Sequence, residues 1–177
     1  TLNEKLDISP EVRKALAPVF TPNPKRAQEL REIKAKHSTV LPKHYWPNLM
    51  ILTTWKCGNT HIYVEKFGNS FPKNMIYQEF AYFSSECRSG LVLENDDATV
   101  LFPHFHYFEF ISIDDLDNPN PRIYQLHELQ DKKQYTVYVT TWSGLYRYPM
   151  NDLVVVDGFF GTIPKVKLVQ KTNGIIS

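Results

Sequence analysis

Gly144-Leu145-Tyr146-Arg147-Tyr148-Pro149-Met150-Asn151-Asp152, taken with Tyr82-Phe83-Ser84-Ser85-Glu86, carries the residue types that a bound nucleotide requires. Adenine needs a flat aromatic face and phosphate oxygens need hydroxyl or backbone N–H donors. Mg²⁺ needs an acidic oxygen, and a ribose diol needs a carboxylate that accepts two hydrogen bonds. Tyr82, Ser85, Glu86 and Asp152 fill these roles in that order. Asn would serve the diol poorly, because half of its terminus is a donor.

Working outward, residues 50–55 form a short apolar and β-branched run that reads as a buried strand. Residues 59–67 read as a helix with Ile62, Tyr63 and Phe67 inward, and residues 75–80 as a second strand, which makes one βαβ unit. Tyr82 to Glu86 therefore leave the C-terminal edge of a strand, where α/β sheets bind ligands. Ahead of this unit, Ser9-Pro10 and Asn23-Pro24 are helix starts, a capping side chain followed by a proline suited to the first turn. Val12, Leu16 and Phe20, then Ala27, Leu30 and Ile33, follow as apolar stripes.

After Glu86 the texture changes. Residues 91–94, 99–102, 107–113, 123–128, 135–141, 153–156 and 166–169 are short β-branched and aromatic runs broken by Pro, Asn and Gly. The expectation is an α/β part over residues 1–90 and a β-rich, mostly antiparallel, barrel-like subdomain over residues 91–177.

Both motifs resemble those of the Gretchen Hagen family, the auxin-responsive acyl-acid amido synthetases, a branch of the luciferase-like adenylate-forming enzymes. There the patterns read Tyr-x-Ser-Ser-Glu and Gly-Leu-Tyr-Arg-Tyr-Arg-x-Gly-Asp. Other segments agree in order. Pro24-Lys25-Arg26-Ala27-Gln28-Glu29-Leu30 and Tyr45-Trp46-Pro47-Asn48-Leu49 resemble the family's Arg-Ala-x-x-Leu and Trp-Pro-x-Leu. Phe108-Glu109-Phe110-Ile111, residues 135–141, and Gly158-Phe159 followed by Pro164 come next. The closing run Val169-Gln170-Lys171-Thr172-Asn173-Gly174-Ile175-Ile176-Ser177 is similar to the one that enters the hinge of bacterial members.

The resemblance implies the C-terminal half of an adenylate-forming large domain, with the Ser/Gly-rich phosphate loop and the mobile C-terminal domain in other parts of a parent chain. It implies ATP and Mg²⁺, with Tyr82 packing on adenine, Ser84 and Ser85 approaching the ribose and α-phosphate, Asp152 on the ribose diol, Arg147 steadying phosphate, and Glu86 helping to hold the metal. Trp55, Gly58 and Asn59 fall on the turn that resembles the acyl-pocket segment and are candidates for the acid substrate. The implied activity is adenylation of a carboxylic acid and transfer of the acyl group to the amine of an amino acid, with the fragment alone inactive. The alternatives are a catalytically degenerate nucleotide-binding module and acceptor use like that of an acyl-CoA ligase. Three departures stand out. Asn151 replaces the glycine before the acid, Pro149 replaces the second arginine and removes a cation and an N–H, and Lys132 replaces a turn glycine.

Composition narrows the classes. The 177 residues carry a formal net charge of +1 with a pI near 7.7, and the lysines are scattered among acids, which gives no field for nucleic acid. No apolar run approaches a membrane span, and a cytoplasmic location is expected. Cys57 and Cys87 are too few for a disulfide framework and have no neighbouring His base. His104 and His106 lack a Cys or acid in ligand spacing and are read as structural.

Overall fold

A computed structural model of the chain describes residues 7–172, the Asn59 side chain excepted. Asn173 to Ser177, the end of the hinge-like run, lie outside the described residues. The chain divides into two compact units, one within Thr1–Asn48 with Ser70–Pro72, the other within Leu49–Asn69 and Lys73–Ser177.

The first unit is helical. In α1 (Pro10–Leu16) the Ser9 hydroxyl accepts the Val12 N–H at 3.3 Å, and in α2 (Pro24–Lys36) Asn23 Oδ1 accepts the Arg26 N–H at 2.9 Å. Each bond satisfies a donor that the first helical turn leaves without an intrahelical partner. A short α3 (Pro42–Tyr45) is tied to α2 by Arg26, whose Nη2 donates to the Tyr45 carbonyl at 2.5 Å while Nη1 pairs with Glu29 at 2.6 Å. None of the three helices carries a fully buried residue.

The second unit opens with the expected βαβ. β1 (Ile51–Thr54) leads through a 3₁₀ turn (Gly58–Thr60) into α4 (His61–Lys66) and then β2 (Ile76–Glu79), which pairs parallel to β1 from Ile51↔Ile76 to Thr54↔Glu79. A seven-stranded sheet follows, built from β3 (Gly90–Val92), β4 (Thr99–Leu101), β5 (His106–Ser112), β6 (Tyr124–Gln125), β7 (Gln134–Thr141), β8 (Tyr148–Phe160) and β9 (Ile163–Lys171). Its order is β3-β4-β9-β8-β7-β5-β6 and every pairing is antiparallel. At Gly90 an added Cβ would lie 2.0 Å from the Val100 carbonyl oxygen, so the β3–β4 pairing excludes any side chain there.

Period-2 alternation assembles the core. Phe108 and Phe110 of β5, Val137 and Val139 of β7, Met150, Val154 and Val156 of β8 and Val166 of β9 share one apolar cluster with Tyr82 and Leu101. Each such side chain, taken fully from water, contributes about 1.5–3 kcal/mol before entropy is counted.

Two elements differ from the sequence expectation. Residues 126–128 leave the strand as a 3₁₀ turn, because the Glu128 carboxylate reaches back to accept the Gln125 N–H at 2.8 Å. β8 is far longer than residues 153–156 and absorbs the Asp152 motif. Tyr138 pairs with Pro149 and Thr136 with Leu153, so Met150, Asn151 and Asp152 stand against Val137 alone. This bulge is made possible by Asn151 at φ +53°, a conformation that Asn tolerates better than other residues with a Cβ. Lys132 likewise holds a positive φ of +62°. Among the described residues no helix is long and apolar enough to cross a membrane.

Candidate functional site

Beyond the ends of β1 and β2, where β4, β8 and β9 close over them, lies a cavity of about 300 Å³. The strand-to-turn exit after β2 places Tyr82 on its wall. The Tyr82 backbone N–H donates to Thr99 Oγ1 at 2.6 Å, and its phenol donates to Asp152 Oδ2 at 2.8 Å. Burial first, and then the neighbouring Asp152 carboxylate, hold this phenol well above the usual tyrosine range, so it stays a neutral donor.

Asp152 is 1% exposed yet lines the cavity. With Oδ2 taken by Tyr82, its Oδ1 lies 2.6 Å from Lys171 Nζ, close enough for an ion pair, but no donor is aligned on it as a hydrogen bond. Lys171 is the cross-strand partner of Asp152 on β9, and its ammonium also donates to the Met150 carbonyl at 3.3 Å. A buried acceptor without an aligned donor is costly unless a ligand supplies one.

The opposite wall is the turn after β1. Buried Glu79 accepts the backbone N–H groups of Lys56 at 2.5 Å and Cys57 at 2.9 Å, and Lys56 Nζ pairs with Asp97 at 2.6 Å. This fixes Trp55 and Gly58 at the cavity. Gly58 sits at φ +63°, and a Cβ there would meet the Val169 carbonyl oxygen at 3.4 Å. Burial, then the Glu79 charge, push the Cys57 thiol up to about 12, which leaves no thiolate for nucleophilic work. Both cysteines are free thiols.

Of the residues singled out in the sequence, the cavity gathers Trp55, Gly58, Tyr82, Ser84 and Asp152. Tyr82 reaches it with a ring that belongs to the apolar core. The Ser84 hydroxyl accepts the N–H groups of Glu86 at 3.2 Å and Cys87 at 3.3 Å, which shapes the turn. Ser85 is exposed and Glu86 half-buried, and neither lines the cavity. The Ser84 hydroxyl, ahead of its own backbone N–H, holds the Glu86 carboxyl below the usual range, an anion able to meet a cation. Among the described residues no group of three or more His, Cys, Asp or Glu is arranged to hold a metal ion. Arg147 goes elsewhere, to a pocket that shares no lining residue with this cavity. Asn59 lies in the 3₁₀ turn, and its side chain is outside the described ones.

Lys171, Thr99 and Glu79 were not foreseen as site residues. Lys171 stands in the hinge-like run, but its meeting with Asp152 depends on the β8–β9 register, which no local pattern encodes.

The arrangement agrees with comparison to known proteins. Residues 1–76 match the GH3 family N-terminal domain and residues 99–171 the GH3 family central domain. The chain is 30% identical over 162 residues to the 4-substituted benzoates-glutamate ligase GH3.12 of Arabidopsis thaliana, covering 88% of this chain and 28% of the relative. It is 28% identical over 180 residues to the indole-3-acetic acid-amido synthetase GH3.8 of Oryza sativa subsp. indica, covering 95% and 29%. The chain thus spans under a third of the length of these relatives. In fold it is similar to the solved GH3.15 acyl acid amido synthetase, with a TM-score of 0.76 at 21% identity over 99% of this chain and 31% of that one. By sequence across both domains, with the same fold, the chain belongs to the GH3 family.

Proposed function

We propose that this chain supplies the adenosine-facing part of an ATP-dependent acyl-acid amido synthetase. The observation that carries the reading is Asp152: a buried carboxylate in a cavity, one oxygen fixed by Tyr82 and the other lacking an aligned donor. A ribose diol would satisfy that oxygen and displace the Lys171 ammonium, which is then placed to meet the α-phosphate. Ser84 and the Tyr82 ring form the rest of the adenosine wall, and Trp55 with Gly58 the side from which an acid substrate enters.

In the parent enzyme a carboxylate displaces pyrophosphate from ATP to give an acyl-adenylate, and the amine of an amino acid then attacks the acyl carbon to release AMP. The protein's part is positioning and charge neutralisation. Mg²⁺, when bound, neutralises phosphate charge, and the Glu86 carboxylate would hold it together with phosphate oxygens, since this ion needs only one or two carboxylates. Ser85 faces solvent beside Glu86, where a phosphate tail would pass. The sequence holds no Ser/Gly-rich phosphate loop, so the chain by itself binds nucleotide without turnover. A cytoplasmic setting, where ATP is available, fits this chemistry.

Titration calorimetry with AMP, comparing the chain with Asp152→Asn, tests the site. Binding that falls at least tenfold in the variant is expected, and equal binding would overturn the assignment. Carboxylate-dependent exchange of labelled pyrophosphate into ATP by the parent tests the reaction. AMP binding without exchange would favour a degenerate nucleotide-binding module, the reading motivated by Pro149 in place of the family's arginine.

A further inference from the structure

Arg147 builds a different pocket. On β5, Tyr107 and Glu109 alternate with the core residues Phe108 and Phe110, so they project from the other face of the sheet, away from the cluster that contains Tyr82. Arg147 precedes β8 at φ +46°, a conformation that a side chain with a Cβ adopts only at a cost. Its backbone N–H donates to Thr140 Oγ1 at 3.0 Å and its Nε to Glu109 Oε2 at 2.9 Å. The Glu109 side chain is 12% exposed and that of Arg147 46% exposed, so a sunken carboxylate orients an outward guanidinium. Among the described residues no other acceptor meets that guanidinium, and no donor is directed at Glu109 Oε1.

Tyr107, Ile123, Gln125, Thr140 and Tyr146 surround the pair in an open pocket of about 510 Å³. The rings of Tyr107 and Tyr146 are 54% and 80% exposed. The chemistry is selective. A plain anion drawn to Arg147 would meet the Glu109 charge, and a plain cation would meet Arg147, so neither gains much. A ligand with both charges on adjacent atoms satisfies the two together.

We propose that this pocket is a second ligand site, which takes a free α-amino acid with an aromatic or apolar side chain as its zwitterion. The ligand carboxylate lies on the Nη edge of Arg147, its ammonium on Glu109 Oε1 with help from Gln125, and its side chain against Tyr107, Tyr146 and Ile123. The site is an accessory one on the opposite sheet face from Asp152, and it stands whether or not the Asp152 cavity takes a nucleotide.

The test is a ¹H–¹⁵N NMR titration of the chain with L-phenylalanine, 3-phenylpropionate and phenylalaninamide. Saturable shifts of the Thr140 and Arg147 amides with L-phenylalanine are expected, with each singly charged analogue weaker by roughly tenfold or more. Arg147→Gln should abolish the response. Tyr146→Ser, which leaves the ion pair and the core in place, should weaken it even if Arg147→Gln fails to fold. Asp152→Asn should leave it unchanged while losing AMP. No saturable shift at millimolar ligand, equal binding of phenylpropionate, or shifts centred on the Asp152 cavity would each overturn the proposal.

Discussion

The Tyr82 hydroxyl donates to Asp152 Oδ2 across 2.8 Å and joins residues 70 positions apart. One is the first residue of the Tyr-x-Ser-Ser-Glu motif and the other the last of the Gly-Leu-Tyr-Arg-Tyr motif, so a single buried bond locks the two halves of the candidate site together. Tyr82→Phe keeps the ring in the core and removes only the donor. It should lower unfolding stability by about 1–3 kcal/mol, the cost of leaving a buried acceptor unsatisfied. Urea denaturation reads this directly, and an unchanged midpoint would mean that the bond contributes nothing.

Lys171→Met should separate phosphate recognition from stability. The side chain is 60% exposed, so its ion pair with Asp152 is screened and its loss should cost less than about 1 kcal/mol in unfolding. AMP binding should fall by roughly tenfold, while adenosine binding stays nearly unchanged. Calorimetry with the two ligands checks it; equal losses for both would place Lys171 at the ribose alone.

Asn151 at φ +53° is the residue on which the β8 bulge turns. Asn151→Gly should leave stability within about 0.5 kcal/mol or raise it, because glycine adopts this conformation freely. Asn151→Val should cost about 1–2 kcal/mol and also weaken AMP binding, since Asp152 is the next residue along the strand. A valine variant as stable as the native chain would show that the bulge does not depend on this torsion.

Asp157 provides a pH signature. Hydrogen bonds from Lys132 first, then Lys167, hold its carboxyl down to about 2. A carboxyl whose folded pKa is depressed stabilises the fold above its unfolded value of about 3.9 and loses that contribution as pH falls towards 2. Asp157 is partly exposed, so the effect should stay below about 1 kcal/mol and shrink with added salt. The stability difference between native chain and Asp157→Asn, measured from pH 7 down to pH 2.5, should narrow only below pH 4. A difference constant over that range would exclude the ion pairs as its origin.

Much of this architecture is legible locally. Ser9-Pro10 and Asn23-Pro24 specify helix starts because a cap and its first-turn proline act within three residues. The βαβ unit follows from two apolar runs flanking a helical stripe, and most strands of the sheet from runs that alternate or are β-branched throughout. The residue types of the site were equally readable, since Tyr82 and Asp152 are the chemistry an adenosine needs.

What the sequence by itself determined is therefore the set of elements, the family motifs and Asp152 as the central acid. The tertiary structure alone decided which side chains meet. Lys171 faces Asp152 because β9 pairs with β8 in one register, and Arg147 turns to the far face of the sheet beside Glu109. A strand's side chains change face with every residue, so one left-handed torsion or one extra residue in a bulge redirects everything beyond it. Register is set by the packing of the whole sheet, and that information is spread over residues far apart in the chain.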